Sequence, residues 1–117
     1  MFRLEEIAEE LRDAVAELDP AVYDGRDAAQ LTKVAAEVER LGATARLLFG
    51  RRTVETRGWV AGSSAASSEQ WFAQVSGCSE PQAREALATA DRVAELPATE
   101  AKLRDGSLSV AQAALVS

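Results

Sequence analysis

Leu4, Ala8, Leu11, Val15 and Leu18 follow one another at alternating intervals of four and three residues, and Leu31, Ala35, Val38, Gly42, Ala45 and Phe49 repeat that step. Only an α-helix, turning every ~3.6 residues, brings such positions onto one face; a strand would need alternation by two. The chain has 24 alanines against ten valines, six threonines and one isoleucine, so helix formers abound and β-branched residues are few. At 117 residues it has room for one small domain. The expected class is all-α, with about six helices.

Local punctuation divides the chain. Pro20 disfavours a helical Asp19, so the first amphipathic helix should stop near Leu18. Asp27, with Gln30 three residues on, is the expected N-cap of a long second helix. Val34, Leu41 and Leu48 form a second stripe beside Leu31 to Phe49, and the combined face is too wide for one partner helix. Gly42 and Gly50 should each weaken this helix by roughly 1 kcal/mol relative to alanine. It is expected to run to about Arg57, with Gly58 as its C′ stop. Residues 58–68 carry no charge and are mostly small, which reads as a loop anchored by Trp59. Ser67-x-x-Gln70, Ser79-x-x-Gln82 and Ser109-x-x-Gln112 each match the capping box that opens a helix, while Leu96-Pro97 and Gly106 mark stops. The expected organisation is a helical hairpin with one long helix over 1–57, a linker over 58–67, and a compact group of short helices over 68–117. The last helix would still be running at Ser117.

Charge and chemistry exclude more than they assign. Thirteen basic and nineteen acidic residues give a net charge of −6, which argues against electrostatic binding of nucleic acid by the chain as a whole. The balance is −6 over residues 1–40, +3 over 41–66 and −3 over 67–117, so only the middle is basic. No histidine is present and Cys78 is the single cysteine, which removes Ser-His, Cys-His and His-metal chemistry along with any internal disulfide. Glu5/Glu9 and Glu6/Glu10 lie one turn apart and read as a solvated acidic face. No phosphate loop or metal-ligand spacing occurs, so no catalytic residue, metal or cofactor is expected. No uncharged run approaches the ~18 residues of a membrane span, and a cytoplasmic location is the expectation.

Residues 69–87 follow a helix-turn-helix pattern: Phe72 and Ala73 in the first helix, Gly77 at the turn, then Ala83, Ala86 and Leu87. Ala73 would let the second helix cross closely, and Gly77 can adopt the positive φ of a short turn. Ser76 stands where an apolar residue is usual, and the following helix is acidic for a groove reader. The unit is therefore either a packing corner or a DNA contact.

From Gly77 onward, Leu96-Pro97 and Gly106-x-Leu108-Ser109 resemble the helical core of ParB-type partition proteins. A broader resemblance starts near Asp27. An Arg-containing helix (Arg40, Arg46, Arg51, Arg52), Gly58-Trp59, Trp71-Phe72-Ala73, Gly77-Cys78-Ser79, Ala83-Arg84, Leu96-Pro97-Ala98-Thr99 and Gly106-x-Leu-Ser109-x-x-Gln112-Ala113 stand in the order seen in domain of unknown function 222. That mycobacterial-type family usually lies upstream of an HNH endonuclease. The resemblance implies a non-catalytic helical module that binds DNA or positions a nuclease in a longer chain; HNH catalysis itself does not carry over without histidine.

Two sets of residues follow. Arg46, Arg51, Arg52, Arg57, Ser79, Gln82 and Arg84 are the DNA-contacting candidates, although cations near the end of a helix also complement its dipole. Leu31, Val34, Val38, Leu41, Ala45 and Leu48 are the candidates for a homodimer interface, the alternative role being homo-oligomerisation or protein interaction without nucleic acid. Trp59, Trp71 and Tyr23 read as core or loop anchors, and Cys78 as a small buried apolar residue.

Overall fold

A computed structural model describes residues 1–116. Its helices are α1 (Arg3–Ala16), α2 (Gly25–Thr56), α3 (Ser68–Ser76), α4 (Glu80–Val93), α5 (Pro97–Arg104) and α6 (Val110–Val116), with a 3₁₀ turn at Pro20–Val22. No strand occurs among the described residues, and the class is all-α. The expected interruption of the last helix at Ser117 lies outside them.

Side chains that accept from free N–H groups mark most of the helix starts. Ser79 and Gln82 form the full reciprocal box, at 3.2 and 3.0 Å, and Ser109 and Gln112 do so at 3.1 and 2.9 Å. Ser67 Oγ accepts from the Gln70 N–H at 3.1 Å, but Gln70 Oε1 accepts from the Ala66 N–H rather than from that of the cap. The long helix differs from expectation at both ends. Its cap is Asp24, whose carboxylate accepts from the Asp27 N–H at 2.8 Å; Asp27 lies inside the first turn. Its C-terminus closes one residue early, because Arg57 itself adopts the left-handed conformation at φ 56°. Arg57 N–H donates to Val54 O at 3.2 Å and Gly58 N–H to Thr53 O at 2.9 Å, a Schellman closure with arginine where glycine is usual. Pro97 does more than stop a helix, since it opens α5 where its missing donor costs nothing.

The chain divides into two units inside α2, residues 1–34 and 35–117. In the first, no residue is buried: Leu4, Ile7, Leu11 and Val15 of α1 stay 43–57% exposed. Tyr23 is 42% exposed and anchors no core.

The second unit holds the core, which α4 threads from end to end. Near its start, Ala83 meets Phe72 and Ala73, with Trp71, Cys78, Ala86 and Leu87 packed around them. Near its end, Val93 meets Leu103 and Ala113, flanked by Leu108 and Val110. From α2 this unit buries Thr44, Leu47 and Gly50, none of which belongs to either apolar stripe read from the sequence. A Cβ at Gly50 would overlap the Phe72 ring, so the glycine that weakens the helix is the seat of a core aromatic. Further along, Thr44 Oγ1 donates to Leu103 O at 3.1 Å and Arg40 Nε to Gly106 O at 2.7 Å. Two α2 side chains one turn apart thus satisfy carbonyls at the end of α5. Gly106, at φ 81°, closes that helix, and a Cβ there would come within 3.3 Å of Glu37 and Leu41.

Alanine should therefore act oppositely at two glycines of one helix. Gly50→Ala is expected to destabilise the fold by about 1–3 kcal/mol through overpacking, whereas Gly42→Ala, with open space around it, should stabilise by roughly 0.5–1 kcal/mol. Urea unfolding followed by tryptophan fluorescence reads both. In the same assay Arg57→Gly should stabilise by about 1 kcal/mol by removing a side chain from the left-handed region.

Candidate nucleic-acid and protein interfaces

The basic end of α2 is largely committed to the protein itself. Arg51 Nε lies 3.0 Å from Asp91 Oδ1 on α4, and its Nη1 lies 3.2 Å from Glu55 Oε1. Arg52 pairs with the other Glu55 oxygen at 3.4 Å. These partly exposed pairs contribute little each, about 0–1 kcal/mol, but the one to Asp91 ties α2 to α4, and together they neutralise the two adjacent arginines. The guanidinium groups of Arg46, Arg57 and Arg84 make no hydrogen bond or ion pair among the described residues.

The α3–α4 corner has the expected helix-turn-helix chemistry. Gly77 takes φ 70° as the C-cap of α3, and both its N–H and that of Cys78 donate to Ala73 O, at 2.9 and 3.1 Å. Ala73 and Ala83 are buried at the crossing, and Trp71 tilts 56° against Phe72 at 6.5 Å between centroids. Cys78 is half-buried against this cluster. At the start of α4, Ser79 Oγ and Gln82 Oε1 accept from each other's backbone N–H, which leaves the Gln82 amide NH2 and the Ser79 hydroxyl proton as the donors there. The exposed first turns carry Glu80, Arg84 and Glu85. Arg92 spans back to Glu85 at 3.3 Å and to the Thr89 hydroxyl at 3.2 Å. A duplex approaching here would meet more negative than positive charge.

The proposed dimer residues are placed differently. Leu31, Val34, Val38 and Leu41 are 36–44% exposed, while Ala45 and Leu48 are half-buried. In the first unit the α1 side chains Leu4, Ile7, Leu11 and Val15 are exposed as well. Two open clefts flank α6, one against Ala36, Glu39, Arg40 and Ala43 of α2 and one against Pro81, Ala86 and Thr89 of α4. Neither gathers catalytic groups, and no cluster of metal-ligating side chains occurs among the described residues. No helix there is long and apolar enough to cross a membrane. Asp105, the group whose carboxyl is held below its ordinary value, by the Ser107 hydroxyl and then its N–H, belongs to the α5–α6 turn.

Sequence reasoning missed Thr44 and Arg40 as caps for a distant helix, because nothing local to α2 reveals which carbonyls lie opposite. It did single out Ser76, whose hydroxyl oxygen is buried with no hydrogen-bond partner among the described residues. No family model matches this chain, and no curated protein or solved structure matches it either.

Removing the orphaned hydroxyl should help. Ser76→Ala is expected to raise stability by about 1 kcal/mol, read as a higher urea midpoint with an unchanged slope; an unaltered midpoint would mean that the hydroxyl is satisfied in solution.

Proposed function

We propose that this chain is a non-catalytic helical assembly module, in which α1 and the stripe on α2 from Leu31 to Leu41 bind another amphipathic helix. One observation carries the proposal: residues 1–34 bury no side chain, although they hold α1 and the first ten residues of α2, both patterned with apolar residues at core spacing. A 14-residue helix is marginal by itself in water, so α1 needs cover on its apolar face. Single exposed leucines are ordinary, but a continuous apolar stripe on each of two successive helices marks an interaction surface.

The DNA-binding alternative draws support from Arg46, Arg57 and Arg84 and from the shape of the α3–α4 corner. Against it stand the pairing of Arg51 and Arg52 and the acidic surface of α4. The resemblance to the amino-terminal part of HNH-associated proteins fits an assembly role equally well, as a part that holds a nuclease-bearing chain in place.

An assembly role requires an association that Leu11→Asp and Val34→Asp remove and that the Arg51→Ala, Arg52→Ala pair leaves unchanged. Light scattering reads it for the protein alone, and anisotropy reads it for an added, labelled helical peptide with Leu at its a and d positions and Lys at e and g. Labelled duplex DNA should bind more weakly than about 100 µM at 150 mM salt. Tighter, salt-sensitive binding lost in Arg46→Ala, Arg57→Ala and Arg84→Ala would put DNA contact in place of assembly.

A further inference from the structure

Resting on that assembly role, we infer that the helix received by α1 is a cationic one from a different protein, an amphipathic helix whose apolar seam is bordered by lysines or arginines. Two features of α1 are left uncompensated, and such a helix answers both. The first is the apolar face, where Leu4, Ile7, Leu11 and Val15 are exposed. The second is a row of carboxylates beside it. Glu6, Glu10, Asp13 and Glu17 step by four, three and four residues, which stacks them along one side of the helix. Within that row Glu10, three residues after Ile7, and Glu17, three after Ala14, border the apolar face directly. All four are exposed, and no ion pair among the described residues involves any of them.

The row works against α1 by itself. Glu6 with Glu10 and Asp13 with Glu17 are like charges one turn apart, which destabilise a helix. Asp13 and Glu17 also stand at its negative pole, and no basic residue occupies the last turn to offset them. A partner that covers the apolar face and lines its border with cations relieves the repulsion, the dipole and the exposed surface together. Neither a second α1 nor the α2 stripe supplies that charge. A second α1 brings carboxylates to carboxylates, and residues 25–41 hold Arg26, Lys33 and Arg40 against Asp27, Glu37 and Glu39, a balance of zero. The same carboxylates repel an anionic lipid surface.

Anisotropy with the whole chain and three labelled helical peptides tests the charge. One has Leu at a and d with Lys at e and g, the second the same Leu seam with Glu at e and g, and the third Ser at a and d with Lys at e and g. The Leu/Lys peptide should bind at least about tenfold more tightly than either of the others. Reversing the row, with Glu6→Lys, Glu10→Lys, Asp13→Lys and Glu17→Lys together, should transfer the preference to the Leu/Glu peptide. Emission from Trp59 and Trp71, both in residues 35–117, should stay unchanged and show that the second unit is still folded. Equal binding of the Leu/Lys and Leu/Glu peptides would overturn the cationic partner and leave the assembly role standing, as would self-association by light scattering in a chain that binds no peptide. Equal binding of the Ser/Lys peptide would reduce α1 to an acidic surface without a helix-specific site, and tighter binding to phosphatidylserine vesicles would put a membrane in place of the helix; either overturns the inference. A monomer that binds none of the three peptides would bring down the inference and the assembly role together.

Discussion

The Phe72 ring rests on the bare backbone of α2 at Gly50, and the second unit is organised around that approach. Any side chain at position 50 would hold the two helices apart. Because the ring sits there, Ala73 on the same helix is left to meet Ala83 of α4, and two alanines are small enough for a close crossing. The crossing sets the direction of α4, whose far half buries Thr89, Ala90 and Val93 and brings Val93 to Leu103 and Ala113. A helix-weakening residue is retained because the packing it permits is worth more than the roughly 1 kcal/mol of propensity it forfeits.

A second constraint acts on the polar groups of the backbone. The turn that ends α5 is close to α2, and water cannot serve all of its carbonyls. Thr44 and Arg40 donate to Leu103 O and Gly106 O instead, which positions the α5–α6 turn against α2. Basic residues of α2 that a sequence offers to a phosphate backbone are thus partly consumed by the protein: Arg40 as a cap, Arg51 and Arg52 as ion-pair partners. Consumption of donors, more than the net charge of −6, weakens the DNA reading.

Local signals were legible wherever their physics is local. The Ser79 and Ser109 boxes and the left-handed turns at Gly77 and Gly106 involve atoms within a few residues of one another, and they form as the spacing demands. Errors arose where two neighbours compete for one task. Asp24 and Asp27 can both cap a helix, and the earlier one does. Arg57 and Gly58 can both close it, and the 6→1 bond from Gly58 to Thr53 places the left-handed residue on arginine. The periodicity of α2 was legible too, but its meaning was not, because Thr44, Leu47 and Gly50 form the buried face while the more regular stripe stays half-exposed.

The sequence by itself determined the helical class, most of the helix ends and the amphipathic faces of α1 and α2, since each depends on residue spacing and on bonds within one turn. Only the tertiary structure decided which face of α2 is core, which arginines remain unpaired and that residues 1–34 bury nothing, because each depends on groups far apart in the chain meeting in space. Hydrophobic spacing specifies that a face must be covered; what covers it is set by the shape and charge of whatever lies opposite.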